Sequence, residues 1–376
     1  LTSGSTSASL AARISPARPL RLSGSVELHD LALEAPVVAP DTIRPLDMSY
    51  TFTAEYAPHV ASAEIPTSVP ASVRRHVPRG ELAISGGSAS INGVGFGLNA
   101  QLRGLHAGGA HPASGAPAFL PRIIQLQVDL PPTSTSRIHD AVPRALQGPL
   151  DTMKLEGSFS WRLDLEVPRY NPGGLQWNAE TRLRDFAVVH IDESVSPFGL
   201  NGSFVHTIRD TEGDYARRVR IPPAESAAEP AAESPDPAVT YVRLDEMSPW
   251  VARAVLTAED GDFYYHNGVN FRTMAQAAVR NLDAGGVVLG ASTISMQLVK
   301  MLFLDDDRVF SRKLQEVFLV YLMEHEVPVS KDRILEIYLN IAEFGPGVYG
   351  IRDAARYYFD TSAGELTAGE ATFLAS

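Results

Sequence analysis

The chain of 376 residues contains no cysteine. Disulfides and thiolate metal sites are thereby excluded, and the redox compartment cannot be read from this feature. No run of about 18 apolar residues occurs, so no segment reads as a membrane-spanning helix. Positive charge is in the minority: 32 Lys and Arg against 44 Asp and Glu leave a net charge of −12. So acidic a chain is a poor general partner for nucleic acid, although a local basic cluster is compatible with it. No HExxH or paired-histidine metal motif is found. What is present is a globular composition, 44% hydrophobic, in a chain long enough for two domains with a core each. It begins at Leu1 rather than Met and stops at Ser376 inside an apolar helical pattern, ATFLAS, so both ends are expected to be cut.

Hydrophobic periodicity divides the chain. Residues 1–221 alternate with period two: Phe159, Trp161, Leu163, Leu165 and Val167 fall on one face, with Ser160, Arg162, Asp164 and Glu166 on the other. That is the pattern of half-buried antiparallel strands. It recurs at Tyr50–Tyr56, Val94–Leu102 and Ile124–Leu130, and a short helix is expected around Ser136–Leu146. Gly-Ser pairs at Gly24, Gly87, Gly157 and Gly202 are expected to open strands. Residues 222–238, PPAESAAEPAAESPDPA, carry no large apolar side chain and read as a linker. After it the period becomes 3.6. Helices are expected after Ser248-Pro249, from Phe271 to Gly285-Gly286, after Ser311 and after Ser330. The expected fold is therefore multidomain: a β-rich region over 1–221, then a mainly helical region over 239–376.

Three stretches of the helical half carry chemistry-bearing side chains. TAEDGDFYYHNG (257–268) joins Glu259 and Asp260 to Phe263, His266 and Gly268. GASTISMQLVK (290–300) supplies Ser292, Thr293, Gln297 and Lys300 around a helix start, where free N–H groups favour anions. SRKLQE (311–316) places Arg312 and Lys313 one turn before Glu316. Each has an ordinary reading: a solvated helix end, a well-capped helix with an exposed lysine, and intrahelical ion pairs worth a few tenths of a kcal/mol. Together, Lys300, Arg308, Arg312 and Lys313 form the dense basic cluster of an acidic chain, an arrangement suited to a phosphorylated ligand.

These motifs, followed by KDRILEIYLNIAEFGPGVYG (331–350), resemble in their order the family 51 glycosyltransferases, the peptidoglycan glycosyltransferases of penicillin-binding proteins. NIAEFGPGVYGIRDAARYYF is most similar to the monofunctional branch. The resemblance covers residues 239–376; residues 1–221 are only weakly similar to β-rich envelope domains of the AsmA type. It implies a lysozyme-like helical fold, C-terminally incomplete here, that polymerises lipid II with inversion at the anomeric carbon. Carried over by position, Glu259 is the general base and Glu316 the second catalytic carboxylate. Asp260, Phe263, His266, Gly268, Ser292, Thr293, Gln297, Lys300, Arg308, Arg312 and Lys313 are substrate-binding, and Lys331, Glu336, Tyr338 and Asn340 shape the last motif. A divalent cation, Mg or Mn, is compatible with the leaving diphosphate, though no metal ligand is assigned. Expected partners are lipid II, lipid-linked glycan, the membrane surface through Val269–Leu289, and cell-wall synthesis proteins through the β-rich region, with no nucleic acid. The expected place is the periplasmic face of the inner membrane, with an anchor upstream of Leu1. Ala291, Met296 and Gln315 depart from the family pattern without removing a proposed catalytic group. The alternatives are a muramidase or lytic transglycosylase, and a non-catalytic envelope protein with a degenerate transferase domain.

Overall fold

The computed structural model describes residues 3–13, 20–36, 38–58, 80–110, 117–168, 174–209, 216–224, 241–284, 290, 292–304 and 310–376. The chain forms two compact units. One comprises Leu1–Gln147, Met153–His190 and Ala275–Leu289, and the other Gly148–Thr152, Ile191–Met274 and Gly290–Ser376.

The first unit is built on strands β1 (Ser3–Arg13), β2 (Leu20–Leu33), β3 (Ile43–Pro58), β4 (Gly80–Ile91), β5 (Val94–Ala110), β6 (Pro117–Leu120) and β7 (Ile123–Ser134), with β8 (Lys154–Pro168) and β9 (Gln176–His190) following two short helices, α1 (Thr135–Ala141) and α2 (Arg144–Gln147). Neighbours are antiparallel in the order β1-β2-β3-β4-β5-β7-β8-β9, and β6 pairs with β5. The register turns sequence alternation into continuous rows. Leu22, Ala54, Ile84, Ala100, Leu126, Leu165 and Trp177 stand side by side across successive strands. One residue along, Gln101, Gln125, Glu166 and Gln176 form a polar row on the opposite face, with Gln125 donating to Glu166 at 2.5 Å. A one-residue slip would exchange the two faces, which is what fixes the register.

Of the Gly-Ser pairs expected to open strands, Gly202-Ser203 stands directly before a strand at Phe204, and the other three do not open one. Gly24, Gly87 and Gly157 lie inside β2, β4 and β8. Gly157, at φ +94°, sits at a register shift between Glu156 and Ser158, and a Cβ at Gly87 would meet the Leu98 carbonyl oxygen at 1.9 Å. Glycine is required there by a bulge and by close backbone approach, not by a turn.

The second unit holds the hairpin β10 (Phe204–Arg209) and β11 (Ala216–Ile221), then α3 (Pro249–Glu259), α4 (Phe271–Ala284, which crosses into the first unit), α5 (Ile294–Phe303), α6 (Phe310–Tyr321), α7 (Lys331–Ile341), α8 (Ile351–Phe359) and α9 (Ala368–Leu374). Helix α6 continues as a wider turn through Leu322–Glu326, with the Val327 N–H donating to the Leu322 carbonyl. Among the described residues the largest fully buried side chains, such as Phe263, Met296, Leu298, Leu322, Leu335 and Leu339, all belong to this unit. Ser248 precedes α3 as expected, but its hydroxyl donates to the Leu366 carbonyl at 2.6 Å instead of capping the helix. Ser311 lies inside α6 rather than before it, whereas Ser330 does cap α7, accepting from the Arg333 N–H. No helix among the described residues is long and apolar enough to cross a membrane.

The division expected at residue 221 is displaced. Residues 191–221 pack with the helices, burying Val195, Leu200, Val219 and Ile221. Arg333 of α7 is the reason. Only 4% exposed, its guanidinium donates to the carbonyls of Leu200 (3.2 Å) and Pro222 (2.5 Å), to the Tyr241 hydroxyl (2.9 Å) and to Glu336 (2.8 Å). The expected linker thus begins with a held residue, and its remainder, 225–238, lies outside the described residues. Arg333→Ala is expected to destabilise the second unit by about 3–5 kcal/mol, the usual result of leaving one partner of a buried ion pair alone. Chemical unfolding measures this; a loss below about 1 kcal/mol would mean that water replaces the guanidinium at little cost.

Candidate active site

Adjacent carboxylates in TAEDG take opposite fates. Glu259 is the last residue of α3 and its side chain is exposed, whereas at Asp260 the backbone leaves the helix (φ −159°, ψ 76°) and the carboxylate turns inward. Asp260 is 8% exposed; its Oδ2 accepts the Ile294 N–H at 3.0 Å, at the start of α5, and both its oxygens lie 3.0 Å from His266 Nε2. An anion at a helix N-terminus is favoured by the unpaired N–H groups and the macrodipole. One carboxylate therefore pins α5 against the end of α3, and the other is left beside the resulting cleft.

The loop between them is closed by fitted parts. Gly268 has φ +80°, and a Cβ there would meet Val320 Cγ1 at 2.3 Å, so only glycine fits. Its carbonyl accepts from the Thr293 hydroxyl at 2.5 Å, and the same oxygen of Thr293 caps α5 by accepting the Met296 N–H at 3.2 Å. Phe263, 1% exposed, lies under the Lys331 ammonium, 4.5 Å from the ring centroid. Lys331 also donates to Glu324 at 2.9 Å, which accepts from the Ser295 hydroxyl at 2.5 Å.

A cleft of about 540 Å³ opens beside this scaffold, lined by Ala258, Glu259, Gly290, Ser292, Met296, Gln297, Lys300, Met301, Arg312, Lys313 and Glu316. Glu316 is 1% exposed and carries both neighbouring cations: Arg312 Nε donates to Oε1 at 3.2 Å and Lys313 Nζ to Oε2 at 2.5 Å. Lys313 Nζ further donates to the Ser292 hydroxyl at 2.7 Å, tying α6 to the segment before α5. Glu259 Oε2 accepts from Gln297 Nε2 at 2.8 Å, and Gln297 Oε1 accepts from the Tyr338 hydroxyl at 3.0 Å. Burial, and after it the charge of Glu259, pushes the Tyr338 phenol above its ordinary pKa, so it stays a proton donor.

The expected site residues therefore separate into two sets. Glu259, Ser292, Gln297, Lys300, Arg312, Lys313 and Glu316 meet in the cleft. Asp260, Phe263, His266, Gly268 and Thr293, expected to bind substrate, do not line it: they build its wall, where the Asp260 carboxylate holds the Ile294 N–H and His266 Nε2, and the Thr293 hydroxyl donates to the Gly268 carbonyl. Arg308 and Ala291 lie outside the described residues. Lys331 belongs with Glu324 and Phe263, as above. Glu336 accepts from the Leu244 N–H at 2.9 Å, and Asn340 both accepts from and donates to the Val242 backbone at 2.8 Å, so these two hold the segment 241–244 on α7. Ser295, Glu324 and Arg333 escaped the sequence reading. Their distinguishing partners stand 7 to 133 residues away, and the one local pair, Arg333 with Glu336 three residues on, reads as an ordinary intrahelical ion pair. Among the described residues no three acidic or histidine side chains converge as metal ligands, and both oxygens of Glu316 are already occupied by cations.

Comparison with known proteins finds relatives for the region that holds this cleft. The transglycosylase family model matches residues 229–376, ten residues earlier than the sequence motifs suggested. The chain is 44% identical over 136 residues to a biosynthetic peptidoglycan transglycosylase of Cupriavidus metallidurans, covering 36% of this chain and 58% of that protein. It is 45% identical over 135 residues to the corresponding protein of Brucella suis, covering 36% and 59%. Penicillin-binding protein 1F of Bacillus subtilis is 42% identical over 135 residues, covering 36% of this chain and 19% of that one. The chain thus spans under three fifths of the length of the biosynthetic relatives it matches. Residues 229–376 are a domain of the transglycosylase family.

Proposed function

We propose that this domain is a peptidoglycan glycosyltransferase that joins lipid II units into β-1,4-linked glycan. The observation that carries the reading is the meeting, in one cleft, of the exposed carboxylate of Glu259 with Lys300, Arg312 and Lys313. Glu259 takes the proton from the 4-hydroxyl of the acceptor sugar. The freed oxygen attacks the donor's anomeric carbon from the face opposite the diphosphate; the C–O bond to diphosphate breaks and the configuration inverts. Lys300, Arg312 and Lys313 stabilise the charge gathering on the leaving diphosphate, and Arg308 joins them in this proposal by its position in the motif. Glu316, catalytic by resemblance, acts here by holding Arg312 and Lys313 in place. Among the described residues the donor set does not fit a protein-held metal, so no step is routed through one; Mg or Mn enters the proposal only as a companion of the diphosphate.

A lysozyme-like helical fold is part of the same proposal, as are a cell-envelope location at the periplasmic face of the inner membrane, contact with the membrane surface, and cell-wall synthesis partners for the β-rich unit. A lytic enzyme acting on preformed glycan has no diphosphate to release, so it would leave the three cations without a task. A degenerate domain is disfavoured by the intact placement of Glu259, Lys300 and Glu316. Labelled lipid II decides between them: the full chain is expected to yield polymer separable by electrophoresis. Shortened glycan from preformed strands would instead support a lytic enzyme, and neither product a non-catalytic role.

A further inference from the structure

We propose that Tyr338 and Gln297 form a relay that orients the Glu259 carboxylate, both being positioning residues and not substrate contacts. The inference rests on Glu259 being the base of the proposed reaction. It departs from the roles their motifs suggest, substrate binding for Gln297 and shape for Tyr338.

The geometry is selective because a carboxamide has two unlike ends. Gln297 Oε1 can only accept, so at 3.0 Å from the Tyr338 oxygen it must receive the phenol proton. That choice aims the amide N–H at Glu259 Oε2, 2.8 Å away. Reversing the amide would set two acceptors, Oε1 and the carboxylate, against each other. The phenol proton and the Glu259 charge thus select the same orientation. Tyr338 is 7% exposed on α7, within a helix whose side chains are nearly all buried, and Gln297 is the fourth residue of α5, whose start Asp260 pins. Both supports are rigid. Glu259, by contrast, is an exposed side chain on the last residue of α3, free to rotate unless something holds one oxygen. The relay holds Oε2 and leaves Oε1 for the acceptor hydroxyl. The other charged groups of the cleft are Lys300 on α5 and Arg312, Lys313 and Glu316 on α6, with Asp260 adjacent in sequence.

The test compares Tyr338→Phe, Gln297→Ala and the double variant of the full chain in lipid II polymerisation, with thermal unfolding measured on each. Tyr338→Phe is expected to lower kcat by about 3–10-fold and Gln297→Ala by roughly 10–100-fold, in line with neutral and charged hydrogen bonds, while KM for lipid II stays unchanged. The double variant should equal Gln297→Ala, since Tyr338 acts only through Gln297. Additive losses, or a rise in KM with kcat kept, would overturn the relay. A second readout does not need activity. In protein carrying 13C at the glutamate carboxyls, the Glu259 resonance at fixed pH should move in Gln297→Ala and, by a smaller amount, in Tyr338→Phe, because the hydrogen bond to Oε2 is lost in the first and loosened in the second. A Glu259 resonance unmoved in both would sink the proposal. If instead Glu259→Gln polymerises at the parent rate, the base assignment falls, and the resonance still reports on the relay by itself.

Discussion

Glu259→Gln is expected to lower lipid II polymerisation by about 10²–10⁴-fold, the usual contribution of a positioned general base. The substitution keeps the size of the side chain and removes its basicity. Fold and stability should hold, because Glu259 is exposed at the end of α3, and the helix is terminated by Asp260 rather than by Glu259. Binding of a non-reacting lipid diphosphate should also hold, since the cations of the cleft are untouched. The distinguishing pattern is therefore a fall in kcat at constant donor affinity and constant unfolding temperature. A loss of affinity equal to the loss of rate would place Glu259 among the binding groups instead.

Glu316→Gln is expected to reduce polymerisation by about 10²-fold or more by a different route. The carboxylate is 1% exposed and its two oxygens receive Arg312 and Lys313. Gln offers one acceptor and no charge, so one of the cations loses its partner and both lose the field that sets their direction. Two cations displaced from the diphosphate are worth several kcal/mol of transition-state stabilisation, in the range found for removing such groups. Here affinity for the lipid diphosphate should fall along with kcat, and stability should fall as well, because the site is buried. Isothermal titration with a non-reacting lipid diphosphate, alongside kinetics, checks this. Unchanged diphosphate affinity with a lowered kcat would return Glu316 to a direct part in the chemistry.

The two variants thus separate the carboxylates that motif matching treats alike. In the sequence, Glu259 and Asp260 are neighbours of the same charge, and Glu316 is a third acid one turn from two cations. Local spacing shows that Arg312 and Lys313 reach Glu316, because i,i+3 and i,i+4 positions share a helix face. It cannot show that Asp260 caps a helix starting 34 residues later, since that depends on where α5 is packed.

Much of the architecture was legible in periodicity alone. A period of two over Phe159–Val167 and Ile124–Leu130 gave strands β8 and β7, and a period of 3.6 after Ser248 gave the helices, because each element must turn its apolar side chains to one face. The ordered motifs from Glu259 to Asn340 were enough to draw the family boundary to within ten residues. Tertiary structure decided the remainder. The hairpin of residues 204–221 reads as one more pair of strands, yet it belongs with the helices because Arg333, an unremarkable residue in KDRILE, reaches the carbonyls of Leu200 and Pro222. Likewise, only packing divides EDGDFYYHNG into Glu259, which faces the cleft, and Asp260, Phe263 and His266, which build its wall. The physical reason is one of range. Periodicity and capping are set by residues within a turn or a pleat of one another, whereas burial and hydrogen-bond partners are set by elements that meet only after the chain has folded.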